Sequence, residues 1–157
     1  MLPPWVAAVE ASPIATAVRS RIWVFPAIES AHLIALAVLA GAVLVVDLRV
    51  LGAGVTSLDP QALARQARPW FRGSLVVLIL TGLLLAASEA GRCYGSPPLW
   101  VKMALLVTAI AYAAGIRRRA LAGLDGGAMT TAARVVSLVS IALWTAVAVA
   151  GRSIAFY

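Results

Sequence analysis

Four stretches of this chain, residues 27–50, 70–90, 98–116 and 131–153, are apolar over lengths that suit a bilayer crossing. A transmembrane helix needs about 20 such residues at a rise of about 1.5 Å each. The first stretch holds no Asp, Glu, Lys or Arg between Glu29 and Asp47. That separation covers about 27 Å of helix axis, close to the thickness of the hydrocarbon core. Only 12% of the residues are charged and 62% are hydrophobic, whereas a soluble domain carries about 25% charged residues. The expected fold is therefore all-α: a polytopic membrane protein built as one domain over residues 1–157, with four transmembrane helices forming a bundle.

The net charge of +7 is no sign of nucleic acid, because the 13 Lys and Arg residues flank the apolar runs, as headgroup anchors do. One Cys and one His, Cys93 and His32, supply neither a disulfide framework nor a structural zinc site. There is no Gly-rich phosphate loop, no catalytic carboxylate pair and no Ser/His/Asp set.

Residues 1–25 are interrupted by Glu10, Arg19 and Arg21, and Pro13 divides them. They read as an amphipathic helix lying at the interface, and with no basic residue ahead of the apolar stretch they do not read as a secretory leader. Ser57-Leu-Asp-Pro60 reads as the capped start of a second interfacial helix over residues 57–68, feeding the second span. Gly123 to Gly127 reads as a turn between spans three and four.

Charge bias sets the expected orientation. Arg49, Arg65, Arg68, Arg72, Arg117, Arg118, Arg119 and Arg134 fall on one side, against Arg19, Arg21, Arg92 and Arg152 on the other. The richer side is expected to be cytoplasmic, which puts both termini outside a bacterial inner membrane.

Each span is expected to carry an ionisable residue near its outer end. Glu29 and His32 lie in span one, Glu89 closes span two, Lys102 sits a turn inside span three, and Arg152 ends span four. Such groups are costly in lipid and usually face the bundle interior, paired with one another or with a ligand. Helical spacing puts Glu29, His32, Leu36, Ala40, Val43 and Asp47 on one face of span one, and Ser137, Ser140, Trp144, Ala148 and Arg152 on one face of span four. Pairing of Glu29 or Glu89 with Lys102 or Arg152 is expected, and Met103 and Cys93 bring soft sulfur to the same level.

The segments Glu29-Ser-Ala-His32, Asp47-Leu-Arg-Val-Leu-Gly52, Thr81-Gly82, Glu89-Ala90, Trp100-Val-Lys102 and Gly151-Arg-Ser-Ile-Ala155 resemble an uncharacterised family of small bacterial membrane proteins, over nearly the whole chain. More distantly, the chain is similar to the superfamily of J-type protoporphyrinogen oxidases and copper-resistance D proteins. That similarity implies a four-helix bundle binding b-type haem, with a functional His and Lys matched here by His32 and Lys102. The spacing of the Gly and Arg that follow the His differs by about a residue, and the absence of a second His rules out bis-histidine ligation within one chain.

Three functions remain open on this basis. One is haem binding, with His32 as axial ligand, Lys102 and Arg152 facing the propionates, and Glu29, Glu89 and Trp144 lining the site. A second is copper handling through His32 and Met103, with Cys93 nearby. The third is a non-catalytic subunit that packs against other helices. The expected partners are the bilayer, further copies of the chain or a membrane redox protein.

Overall fold

A computed structural model describes residues 3–54, 56–124 and 129–153. It is all-helical, with no strand among the described residues. Two short helices, α1 (Pro4–Glu10) and α2 (Pro13–Ser20), precede α3 (Val24–Leu51) and α4 (Pro60–Ser88). A single turn, α5 (Ala90–Tyr94), leads into α6 (Pro97–Tyr112), which continues through a π turn at Ala113–Arg117 into α7 (Arg118–Ala122). The last helix is α8 (Thr131–Ser153). Residues 125–127 of the expected Gly-rich turn lie outside the described residues.

Four helices are long and apolar enough to cross a membrane: Val24–Leu51, Pro60–Ser88, Pro97–Ala122 and Thr131–Ser153. Their outward faces are apolar too. Ile34 is 65% exposed, Leu83 60%, Val107 63% and Val149 61%. Water would not tolerate such patches on every long helix, whereas lipid is their natural solvent. The chain is therefore an integral membrane bundle.

Local signals explain where the helices begin and end. α3 stops at Gly52, whose φ of 85° only glycine adopts readily; the Ala53 N–H closes back on the Leu48 carbonyl at 2.9 Å. α4 begins at Pro60, and Asp59, not Ser57, is its cap, with the carboxylate accepting from the Ala62 N–H at 2.8 Å. The separate interfacial helix expected before span two is absent, because α4 runs unbroken through Pro69. Pro69 lacks the N–H that would bond the Arg65 carbonyl. Both residues are exposed near the polar end of the helix, where water and headgroups can satisfy that carbonyl.

The single amphipathic helix expected at the N-terminus is in fact two. Ser12 caps α2 by accepting from the Ala15 N–H at 3.3 Å, and Pro13 occupies the first helical position. The pair is tied to the bundle. Arg19 donates to the Ser88 carbonyl at the end of α4 and to the Glu10 carboxylate, both at 2.9 Å, while Glu10 also accepts from the Gly91 N–H at 3.2 Å. A guanidinium at a helix C-terminus meets the orphan carbonyls there. Trp5, Tyr94 and Trp100 continue the contact as two edge-to-face pairs, with centroids 5.4 and 6.0 Å apart.

Two apolar clusters fill the bundle. Leu39, Val43, Ala109, Trp144 and Val147 occupy the middle, where Trp144 meets Phe71 edge to face at 5.7 Å. Val46, Val50, Leu63, Leu121, Leu124 and Ala133 occupy the Arg-rich end. Between them lies a buried ion pair that sequence reasoning did not anticipate. Asp47 is fully buried, Arg117 is 13% exposed, and Arg117 Nη2 and Nε approach the same oxygen, Asp47 Oδ1, at 2.8 and 3.0 Å. The π turn sets this up, because its extra residue shifts the helical phase of Arg117. Tyr112 closes the same level by donating to the Val136 carbonyl at 2.9 Å.

Breaking one partner of a buried pair leaves the other charge stranded. Asp47→Ala should therefore cost about 3–5 kcal/mol, and Asp47→Leu combined with Arg117→Met should recover most of that loss. Thermal melting of detergent-solubilised protein measures both. An Asp47→Ala variant that melts with wild type would show that the pair holds nothing together.

Candidate functional site

His32 stands on α3 about two turns from the helix start, and its partner is on α4. Its Nδ1 lies 2.8 Å from Thr81 Oγ1, and Thr81 Oγ1 lies 2.6 Å from the Val77 carbonyl one turn back. A hydroxyl has one proton, and two oxygens that close without a proton between them would repel. The Thr81 proton therefore goes to Val77, and Thr81 can only accept from His32. The Leu78 carbonyl, also beside the ring, can likewise only accept. These contacts put the imidazole proton on Nδ1 and leave the lone pair on Nε2. That is how ligating histidines are commonly held, with one ring nitrogen fixed by a neighbouring acceptor and the other free.

Gly82 makes room for the ring. A Cβ at that position would stand 3.3 Å from His32 Cε1, closer than most side-chain packing allows. The Thr81-Gly82 dipeptide thus serves His32 twice, once through a hydroxyl and once through the absence of a side chain.

Lys102, on α6, is half-buried at the same end of the bundle and within electrostatic reach of His32. Its stem lies on Gly151 of α8, where a Cβ would meet Cε and Nζ at 3.4 Å. Among the described residues no carboxylate comes within 4.0 Å of its ammonium, so the expected pairing with Glu29 or Glu89 is not formed. Glu29 and Arg152 are exposed, and Glu89 is half-buried at the junction of α4 and α5. Met103 is 43% exposed on the outside of α6. Trp144 is buried against Phe71 in the bundle centre and lines the cavity between α3 and α8. Of the expected constellation, the structure brings together His32 and Lys102, and joins to them Thr81, Gly82 and Gly151, which in the sequence stood out only as part of the family resemblance.

Cys93 lies outside the long helices. Burial, and then the Glu89 carboxylate, push its thiol up from the usual range, against the pull of Arg92 and Lys102. Among the described residues no three His, Cys, Asp or Glu side chains converge as a metal site. A cavity of about 160 Å³ lies between α3 and α8, lined by Leu36, Ala40, Leu44, Ile141, Thr145 and Ala148 among others. This is smaller than the roughly 300–1,000 Å³ of most small-molecule pockets.

Residues 19–157 match the model of a family of unknown function (DUF6644). No curated protein and no solved structure matches the chain.

Because His32 is the sole histidine, nitrogen NMR on histidine-labelled protein reports its tautomer without ambiguity. The expected spectrum at neutral pH has Nδ1 protonated and Nε2 bare, and Thr81→Val should shift the population toward Nε2–H. A wild-type ring protonated at Nε2 would contradict the assignment.

Proposed function

The chain belongs to the DUF6644 family, and we propose that it is an integral membrane haem-binding protein in which His32 Nε2 supplies one axial ligand to the iron. The single observation that carries this proposal is the contact of His32 Nδ1 with Thr81 Oγ1 on α4, from which, with the Thr81 hydroxyl turned to the Val77 carbonyl, we infer that Nε2 keeps the lone pair. Neutral imidazole is the usual proximal ligand of haem iron. Lys102, with no carboxylate of its own among the described residues, is placed to pair with a propionate, and Arg152 at the exposed end of α8 can take the second.

The fit has a definite limit. The 160 Å³ space between α3 and α8 is too small to enclose a macrocycle, and Trp144 and Phe71 fill the bundle centre. A haem held by His32 would therefore lie at the rim of the bundle. We extend the proposal to redox chemistry on the resemblance, in sequence alone, of the segments around His32 and Lys102 to the J-type protoporphyrinogen oxidases. The copper alternative has less support, since Met103 faces outward and no three His, Cys, Asp or Glu side chains converge among the described residues. By the charge bias of the loops, the site faces the outside of a bacterial inner membrane, with both termini on that side.

A visible absorption spectrum of protein purified from haem-replete cells tests the assignment. With one histidine per chain, the wild type should show a Soret band with high-spin iron that binds carbon monoxide when reduced, and His32→Ala should lose the band yet remain inserted and folded. If wild type shows no Soret band and takes up no added hemin, the haem assignment fails.

A further inference from the structure

The buried pair between α3 and the π turn leaves part of its hydrogen-bonding capacity unused. Asp47 Oδ1 receives both contacts from Arg117, Nε at 3.0 Å and Nη2 at 2.8 Å, while Oδ2 receives no hydrogen bond among the described residues. A guanidinium commonly meets a carboxylate as a fork, with one N–H to each oxygen. Here Nη2 is near Oδ1 but not aimed at it, so it makes no directed hydrogen bond. Ser140 Oγ of α8 is a third such atom, buried beside the carboxylate yet outside hydrogen-bond geometry with it.

The packing also denies Ser140 its usual outlet. A serine within a helix commonly turns its hydroxyl back to the carbonyl four residues earlier, which here belongs to Val136. That carbonyl already accepts from the helical N–H of Ser140 and from the Tyr112 hydroxyl, the latter at 2.9 Å, and so both of its lone pairs are engaged. The Ser140 hydroxyl is left to the interior, where an unmatched polar group is costly. One anionic acceptor, one cationic donor and one hydroxyl therefore meet at a single carboxylate, and both Asp47 and Ser140 are fully buried.

We propose that this polar level binds one water molecule, held by Asp47 Oδ2, Ser140 Oγ and Arg117 Nη2. Their chemistry calls for a guest that donates to the carboxylate and accepts from the guanidinium, and a hydroxyl can take either role. A buried water makes about three such bonds. Charge rules against an ion. Asp47 and Arg117 neutralise each other, and a cation or an anion added to them would leave a net charge inside the bundle. The Arg117 side chain is 13% exposed, which gives water a way in from the Arg-rich surface. The guest then joins α8 to the pair, so that the layer between the two apolar clusters ties α3, α6 and α8 together.

A crystal structure of the full wild-type chain tests the proposal, grown with rubidium and bromide as the buffer ions and refined where other buried waters of the chain are visible. One density peak is expected within about 2.7–3.2 Å of Asp47 Oδ2, Ser140 Oγ and Arg117 Nη2, with no anomalous signal at either absorption edge. An anomalous peak there would make an ion the occupant and overturn the proposal. A direct hydrogen bond from Ser140 to Asp47 Oδ2, with no peak beside it, would overturn it as well. Asp47→Leu combined with Arg117→Met should lose the peak, because two of its three partners are gone. A peak that persists in that variant would show that the pair does not hold the guest, and the assignment would fail.

Discussion

A charge in hydrocarbon must find a partner, and that requirement shapes this bundle more than any single apolar contact. Lipid does not distinguish helix surfaces from one another as water does, so apolar residues alone leave the register of the four helices weakly specified. Asp47 and Arg117 specify it. They join α3 to the segment after α6, and the π turn exists at the position that brings the guanidinium to the carboxylate. Asp47 Oδ2 and Ser140 Oγ remain buried without a hydrogen bond among the described residues, although the Ser137 and Ser140 hydroxyls lie beside the carboxylate. The pair is thus held at a polar level shared by α3, α6 and α8, with the two apolar clusters on either side of it.

The same requirement gives the other end of the bundle its character. There Arg19 and Glu10 of the N-terminal helices tie the end of α4 to the start of α5, so a segment that looks peripheral in sequence becomes part of the packing. His32 and Lys102 are among the half-buried polar groups at that end, with Glu89 and Cys93 near them. One has its proton committed to Thr81 and the other has its stem on Gly151. A lone pair beside an ammonium without a carboxylate is an arrangement suited to an anionic, metal-bearing ligand.

Much of this was legible in the sequence, for identifiable reasons. The four spans are set by uncharged length; the observed helices contain the first, third and fourth, whereas α4 starts ten residues before the expected second span and stops two short of its end. His32 and Lys102 stood out because ionisable groups within apolar runs are costly. The unbroken passage of α4 through Pro69 was not legible, since a proline usually divides a helix and only the exposure of Pro69 and Arg65 shows why it does not. Arg117 is hidden among three consecutive arginines, where it counts as a loop charge, and the π turn that precedes its contact with Asp47 alters the helical phase from which a sequence reading works. Thr81 and Gly82 carry no charge, and their service to His32 depends on contact between two helices. The face shared by Glu29 and His32 was read correctly as a period but not as a pocket, because Glu29 turns out to be exposed at its end.

The central claim is that His32 presents an unprotonated Nε2 to haem iron. Replacing the ring by empty space and returning it as a free molecule examines that claim directly. Hemin titrated into His32→Gly should give no Soret shift in plain buffer, and adding imidazole should restore the wild-type band, because the diffusible ring occupies the space the side chain left. If hemin binds His32→Gly as it binds wild type, with no response to imidazole, His32 is not the ligand and the account is contradicted.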